Sequence, residues 1–286
     1  MQRLPEYLKR PVIDTEKTKI VRHILKNKCL NTVCEGARCP NKSECYSKNT
    51  ATFLIMGNVC TRNCKYCNIE SARPAPLDKD EPKHLAEAVS ELGLKYVVIT
   101  SVTRDDLPDG GAKHFSKCID EIRGLDGSIK IEILTPDFKG HKESLDMIIS
   151  AHPDVFNHNI ETVKSLFPKA RPQGNYQRSL EVLKYIKENS DIVTKSGLMV
   201  GLGEREIEIE ETLIDLKNAG VDIITIGQYI QPSKLHLPVE KYYTPDEFES
   251  LRNLAKETGF KNYQIDPLVR SSYHAAISWQ SALENV

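Results

Sequence analysis

Three thiols stand close together in Cys60-Thr61-Arg62-Asn63-Cys64-Lys65-Tyr66-Cys67, a C-x3-C-x2-C spacing in one short loop. Thiolates at that spacing can converge on a single metal centre. A structural zinc ion takes four protein ligands as a rule. A cubane [4Fe–4S] cluster has four irons and is commonly held by four cysteines. Three local cysteines therefore leave one iron of a cubane open to bind something else, or else leave a zinc in need of a distant fourth ligand. Tyr66, between two of the thiols, is placed to pack beside whatever binds there.

A second set, Cys34-x4-Cys39-x5-Cys45, lies upstream, and seven of the eight cysteines fall between Cys29 and Cys67. A secreted disulfide scaffold would be short, with cysteines spread through it. Here a cysteine-dense head precedes a long stretch holding only Cys118. In a reducing compartment that clustering reads as metal ligation or catalysis. Cys118 shares an apolar helix face with Phe115, Ile119 and Ile122, so it reads as a small core residue. Cys29 is read as incidental.

The elements that must position these thiols follow from periodicity. Thr52 to Gly57 reads as a buried strand directly before the C-x3-C-x2-C loop. Further strands are expected at Tyr96–Thr100, Ile129–Leu134, Asp154–Asn157, Ile192–Val200 and Ile223–Ile226. Between them, apolar residues recur at helical spacing: Leu85, Ala88, Val89 and Leu92; Leu145, Ile148 and Ile149; Tyr176, Leu180, Leu183 and Ile186; Ile209, Leu213 and Leu216. Thr244-Pro245-Asp246-Glu247 combines an N-cap, a proline at the first helical position and a capping-box glutamate. Six strand-then-helix units in succession imply an α/β fold with a parallel sheet. Continuously apolar strands imply cover on both faces. A partial β/α barrel and an open doubly wound sheet both fit that pattern, and the missing G-x-G-x-x-G after the first strand counts against dinucleotide binding. In a β/α barrel, the loop after a strand opens on the functional face. Residues 1–50 show little regular pattern and read as an appendage, 51–265 as the barrel, and 266–286 as a short C-terminal extension.

Composition removes several function classes. Apolar residues make up 40% of the chain, enough to build a core. The net charge of −1 argues against a nucleic-acid binder. No apolar run approaches the roughly 20 residues that span a bilayer. The first ten residues lack the apolar core of a signal peptide, and Glu6 is out of place in a transit peptide. The expectation is a cytoplasmic protein with neither nucleic-acid nor membrane partners.

C-x3-C-x2-C with an aromatic before the last cysteine resembles the motif of the radical S-adenosylmethionine (SAM) enzymes. VCEGARCPNKSEC (33–45) is similar to the second-cluster motif of the lipoyl synthase family within them. The resemblance runs from about residue 5 to 280. It takes in TSVTRDDLPDGGA (100–112), NHNIETV (157–163), KSGLMVGLGE (195–204), GQYIQPSKLHLPV (227–239) and RSSYHA (270–275). It implies a partial (β/α)6 barrel of the radical SAM type and two [4Fe–4S] clusters. By the same resemblance, Cys60, Cys64 and Cys67 hold the cluster whose open iron binds the amino and carboxylate groups of SAM. Cys34, Cys39 and Cys45 hold an auxiliary cluster, with Ser272 or its neighbour Ser271 as the fourth ligand. The residues alone offer another reading of Arg270-Ser271-Ser272-Tyr273, as the N-cap of the last helix.

The implied chemistry is radical. Sulfur must enter unactivated C–H bonds, which no acid–base residue can deprotonate, so a cofactor does the hard step and the protein positions it. The resemblance implies that reductive cleavage of SAM gives a 5′-deoxyadenosyl radical. That radical takes hydrogen from C6 and then C8 of an octanoyl chain on a lipoyl-carrier domain, and the auxiliary cluster supplies both sulfurs. An electron donor such as flavodoxin or ferredoxin, and cluster-assembly proteins, are implied as partners. Thr100, Ser101, Asn159, Glu161 and Arg171 are candidate SAM contacts. Asn157, Asn159 and Glu161 read equally as a helix cap with a first-turn carboxylate, and Arg104, Asp105 and Asp106 either bind a polar part of SAM or order their loop. Lys195, Met199, Gln228 and His236 are lesser candidates. Two rival functions remain open from the sequence: a radical SAM enzyme that uses its second cluster only for electrons, and a non-catalytic cluster or zinc module.

Overall fold

The computed structural model describes residues 3–11 and 15–284, and these form two compact units. The first comprises residues 10–62 and 68–154, the second residues 1–9, 63–67 and 155–286.

In the first unit, β1 (Asn31–Thr32) runs antiparallel to β2 (Thr52–Ile55). A short parallel ladder joins β3 (Val59–Cys60) to β4 (Glu70–Ser71). β2 pairs in parallel with β5 (Tyr96–Ser101), and β5 with β6 (Lys130–Leu134). All four residues of β2 are buried, as its uninterrupted apolar run requires. Helix Glu81–Glu91 starts with Pro82 in its first turn and buries Leu85, Ala88 and Val89. Helix Ala112–Leu125 buries Phe115, Cys118, Ile119 and Ile122, which settles Cys118 as a core residue. Helix Lys142–Ser150 buries Leu145 and Ile148.

The head departs from the sequence expectation of little regular structure. Helix Glu16–Asn27 buries Val21, Ile24 and Leu25, and short helices follow at Val33–Gly36 and Lys42–Ser47. The first is opened by a reciprocal cap in which Thr15 and Thr18 each accept the other's backbone N–H. Thr18 stands where a glutamate or glutamine would normally mark a capping box, which hides the start from a pattern search.

In the second unit, β7 (Val155–Asn157), β8 (Val193–Val200), β9 (Ile223–Gln228) and β10 (Asn262–Ile265) pair in that order, all parallel. Helices Tyr176–Asn189, Glu206–Asn218 and Pro245–Glu257 connect them. Thr244 accepts from Glu247 N–H while the Glu247 carboxylate accepts from Thr244 N–H, the capping box that the sequence foretells. β10 was not anticipated; only Ile265 of its four residues is fully buried, so it carries no apolar run. Helix Ala275–Glu284 follows it. The six strands expected from sequence are all present, and the α/β class with a mostly parallel sheet holds. Among the described residues, no helix is long and apolar enough to cross a membrane.

Candidate metal centres

In the first unit the head cysteines are brought together by two chain reversals. Thr32 caps helix Val33–Gly36 by accepting from Glu35 N–H. Arg38, at φ +51°, turns the chain so that Cys39 N–H reaches Cys34 C=O at 3.1 Å. Cys45 N–H then donates to Asn41 C=O at 3.0 Å, starting the last helical turn of the head, and Thr50 closes it by donating from backbone and hydroxyl to Cys45 C=O. Cys34 is buried, and burial pushes its thiol up to about 11, although Thr52 opposes this by donating to the sulfur from backbone and side chain. Burial likewise pushes the Cys45 thiol up to about 12, with further contributions from the charges of Cys34 and Cys39. Behind them, the Tyr46 hydroxyl meets Thr32 Oγ1 at 2.9 Å in the core.

Cys60 ends β3, and its sulfur accepts two backbone N–H groups: from Arg62 at 3.4 Å and from Thr103 at 3.3 Å. Thr61 donates from backbone and hydroxyl to Thr103 C=O at 3.0 Å each, and accepts from Asp105 N–H at 3.0 Å. The loop after β5 is thereby fastened to the cysteine loop. Arg62 is buried and forks onto Asp105 at 2.7 and 2.9 Å, while its Nη2 also reaches the fully buried Asp137 at 2.6 Å. Arg104 pairs with Asp106 at 2.8 and 2.9 Å. The arginine–aspartate run therefore orders its loop; Asp105 and Asp106 are both engaged with arginines of this chain.

In the second unit, residues 63–67 are pinned residue by residue. Asn63 N–H donates to Gln173 Oε1, Lys65 N–H to Ala170 C=O, and Leu237 N–H to Lys65 C=O, at 2.8 to 3.0 Å. His236 Nε2 lies 2.9 Å from Cys67 C=O, and Ser233 holds the other ring nitrogen at 2.8 Å. Tyr66 packs against the apolar cluster of Leu202, Tyr229 and Val239. Burial, then the charges of Cys64 and Glu161, raise its hydroxyl well above the usual range. Glu161 is held at φ +71°, clipped to β8 by its N–H on Gly197 C=O and by Met199 N–H on its own C=O, both 2.9 Å. A non-glycine residue held in that region by its neighbours marks a candidate functional position. Burial raises the Glu161 carboxyl, while Arg171 and donors from Asn159 and Tyr66 pull it down. Arg171 is buried and donates to Asn159 C=O at 3.0 Å. Asn159, Glu161 and Arg171 therefore form one cluster around Tyr66.

The C-terminal motif joins that cluster. Ser271 Oγ donates to Asn159 Oδ1 at 2.8 Å. Gly197 lies below the pair: a Cβ there would sit 2.6 Å from Asn159 Oδ1 and 2.7 Å from Ser271 Oγ. At Gly227, a Cβ would sit within 2.1 Å of Val269 C=O. These two strand glycines admit the segment 269–271 close over β8 and β9. Helix Ala275–Glu284 begins too late for Ser271 or Ser272 to be its N-cap, so that reading is corrected.

Of the remaining candidates, Thr100 Oγ1 is spent on Leu134 C=O at 3.0 Å, whereas the Ser101 hydroxyl, at the end of β5, is buried with no hydrogen-bond partner among the described residues. Gln228 ties down a loop through Val200, Tyr229, Lys241 and Tyr243. Lys195 is fully buried in β8. Arg62 and Asp137 are the residues that sequence reasoning missed.

The donor set suits iron–sulfur chemistry: two triads of free thiols, soft ligands of the type that iron–sulfur clusters take. Among the described residues, no three Cys, His, Asp or Glu side chains meet closely enough to hold a single ion.

Comparison with known proteins identifies the family. A sequence profile of the Radical SAM superfamily matches residues 54–216. The chain is 54% identical to a lipoyl synthase of Caldicellulosiruptor bescii, over 99% of this chain and 97% of that protein. It is 50% identical to a lipoyl synthase of Caldanaerobacter subterraneus subsp. tengcongensis, over 96% of each. Among solved structures, methylornithine synthase superposes with a TM-score of 0.55 at 14% identity, over 93% of this chain and 80% of that one. An FeFe-hydrogenase maturase from Carboxydothermus hydrogenoformans superposes with a TM-score of 0.59 at 14% identity, over 93% and 68%. Those two likenesses concern the fold alone.

Proposed function

The chain belongs to the lipoyl synthase family of the Radical SAM superfamily, and from that premise we propose that it inserts two sulfur atoms, at C6 and C8, into an octanoyl chain carried on a lipoyl-carrier domain. When bound, SAM and two [4Fe–4S] clusters would supply the hydrogen abstraction and the sulfur. What this chain's residues do is hold, orient and desolvate. Cys60, Cys64 and Cys67 would hold the cluster that engages SAM, with Tyr66 between the last two in sequence and packed on the Leu202, Tyr229 and Val239 cluster. Cys34, Cys39 and Cys45 hold the sulfur-donating cluster in the head. The single observation that carries this reading is the second cysteine set: a superfamily motif alone serves many radical reactions, but a further set of three free cysteines in the head, Cys34 buried and Cys39 and Cys45 half-buried, gives a second cluster, and so the sulfur, a place to come from.

Ser272 is the fourth ligand we favour for the head cluster. Ser271 is already engaged with Asn159, while Ser272 has no side-chain partner among the described residues. For SAM, Ser101 offers an unspent hydroxyl, and Glu161, Asn159 and Arg171 offer a carboxylate, an amide and a guanidinium in one cluster. Thr100 contributes mainly to its strand. The head through residue 50, the barrel over 51–265 and the extension over 266–286 would divide the work as auxiliary site, radical site and closing ligand. The reaction calls for a low-potential electron donor such as flavodoxin or ferredoxin, and for cluster-assembly proteins to rebuild the consumed cluster, in the cytoplasm.

The deciding experiment is anaerobic turnover with octanoylated carrier peptide, SAM and a reductant, using protein whose clusters are rebuilt with isotopically labelled sulfide. The expected result is a peptide that gains two labelled sulfurs by mass spectrometry. Product with unlabelled sulfur, or SAM cleavage with no sulfur gained, overturns the sulfur-donor assignment and returns the second cluster to an electron-carrying role.

A further inference from the structure

The buried guanidinium inside the cysteine loop is expensive. Arg62 is 4% exposed and Asp137 0% exposed. A charge withdrawn from water this far is stabilised only by close, well-aligned partners, and losing one partner is strongly destabilising. Arg62 has three such contacts: the two-pronged fork on Asp105 and the Nη2 bond to Asp137. A planar fork of that kind fixes orientation as well as charge. Asp137 is itself fixed, since it accepts from Lys139 N–H at 3.2 Å, and Lys139 Nζ returns to Asp105 C=O at 3.1 Å. Arg62 Nη1 is left buried with no hydrogen bond among the described residues. The fold accepts that cost, which points to a demand other than stability.

The demand lies at Cys60. The backbones of Arg62 and Thr103 supply both N–H donors to its sulfur, and Thr61 locks the same two strands of chain together. The Arg62 side chain crosses from one donor's residue to Asp105, two residues beyond the other donor. A hydrogen bond to a cluster thiolate withdraws charge from sulfur and eases reduction, and such bonds are among the determinants of cluster potential. We propose that Arg62, through Asp105 and Asp137, is a positioning residue: it latches the two amide donors onto Cys60 and thereby sets the reduction potential of the SAM-engaging cluster. This rests on Cys60 being a ligand of that cluster.

The test uses a Cys39→Ala background, which would leave the loop cluster as the one to be titrated. Arg62→Gln, Arg62→Lys and Asp137→Ala are compared by EPR-monitored redox titration and by amide exchange of the loop. A latch predicts that all three lower the midpoint potential. It also predicts that all three speed exchange at positions 62 and 103 by about tenfold, the change for roughly one lost hydrogen bond. A charge acting only through its field predicts otherwise: Arg62→Lys leaves the potential unmoved, and Asp137→Ala raises it. Either of those results, or unchanged exchange, overturns the proposal. If Arg62→Gln does not fold, Arg62→Lys decides, because it keeps the charge and loses the fork. Cys60→Ala, which leaves no ligating atom at that position, checks the ligand assignment separately. A cluster signal retained there removes the assignment itself. A signal lost there, with the other variants unmoved, removes only the latch.

Discussion

The two cysteine triads are held by different means. Cys34, Cys39 and Cys45 are gathered by short-range reversals: Cys39 N–H on Cys34 C=O, and Cys45 N–H on Asn41 C=O. Burial raises the thiols of two of the three, Cys34 and Cys45. The later triad is anchored by partners remote in sequence. Cys60 relies on Thr103, and the stretch from Asn63 to Cys67 relies on Ala170, Gln173, His236 and Leu237. On the proposed function, a site gathered by short-range reversals suits a cluster that is spent as reagent and rebuilt. A site pinned by several strand-end loops suits a cluster that must survive each cycle in one geometry.

The largest expected effects test that division. Cys64→Ala reduces the loop set from three thiols to two and is expected to drop 5′-deoxyadenosine formation to background, with iron falling from about eight to about four per chain, at four irons per cubane. Cys39→Ala is expected to lose a similar amount of iron, keep SAM cleavage measurable and make no sulfur-containing product. Product formation by Cys39→Ala breaks the comparison outright, as does loss of SAM cleavage to background in that variant.

Next in size are the glycines under the C-terminal motif. At Gly227 the atom that a Cβ would strike is the Val269 backbone carbonyl, which has nowhere to go. At Gly197 the nearest atoms are the ends of the Asn159, Ser271 and Thr225 side chains. Overpacking of this kind costs about 1–3 kcal/mol. Gly227→Ala is therefore expected to lower the melting temperature more than Gly197→Ala. Gly227→Ala is expected to weaken the head cluster's fourth ligation while sparing SAM cleavage, whereas Gly197→Ala, which presses on Asn159, is expected to lower SAM cleavage as well. An equal or reversed order of melting temperatures shows that the segment over β9 is not held as tightly as its carbonyl contact implies.

How much of this was legible in the sequence depends on the range of the interaction. The thiols were readable because ligand spacing is local, and the six expected strands because uninterrupted apolar runs admit few other readings. β10, with only Ile265 fully buried, offered no such run. The first head helix hid behind a threonine pair where a capping glutamate is the usual sign. Arg62 was invisible as a latch because its carboxylates lie 43 and 75 residues away, and a charge in a loop ordinarily reads as solvated. Glu161 showed a plausible ligand type, but its left-handed backbone is a property of the folded chain alone.

The smallest effect separates two adjacent hydroxyls that spacing could not. Ser271 donates across 112 residues of sequence to Asn159, in the cluster that also holds Glu161 and Arg171. Removing that donor leaves a carbonyl oxygen short of one bond, worth about 1 kcal/mol. Ser271→Ala is expected to shift the denaturation midpoint of the cluster-free chain by that amount and to leave the head cluster's spectrum as it was. Ser272→Ala is expected to do the reverse: little change in the cluster-free chain, but an altered absorption and EPR spectrum of the head cluster and slower sulfur transfer. If Ser271→Ala is the variant that alters the spectrum, the fourth ligand is Ser271. The bond to Asn159 would then have to break whenever the head cluster is loaded.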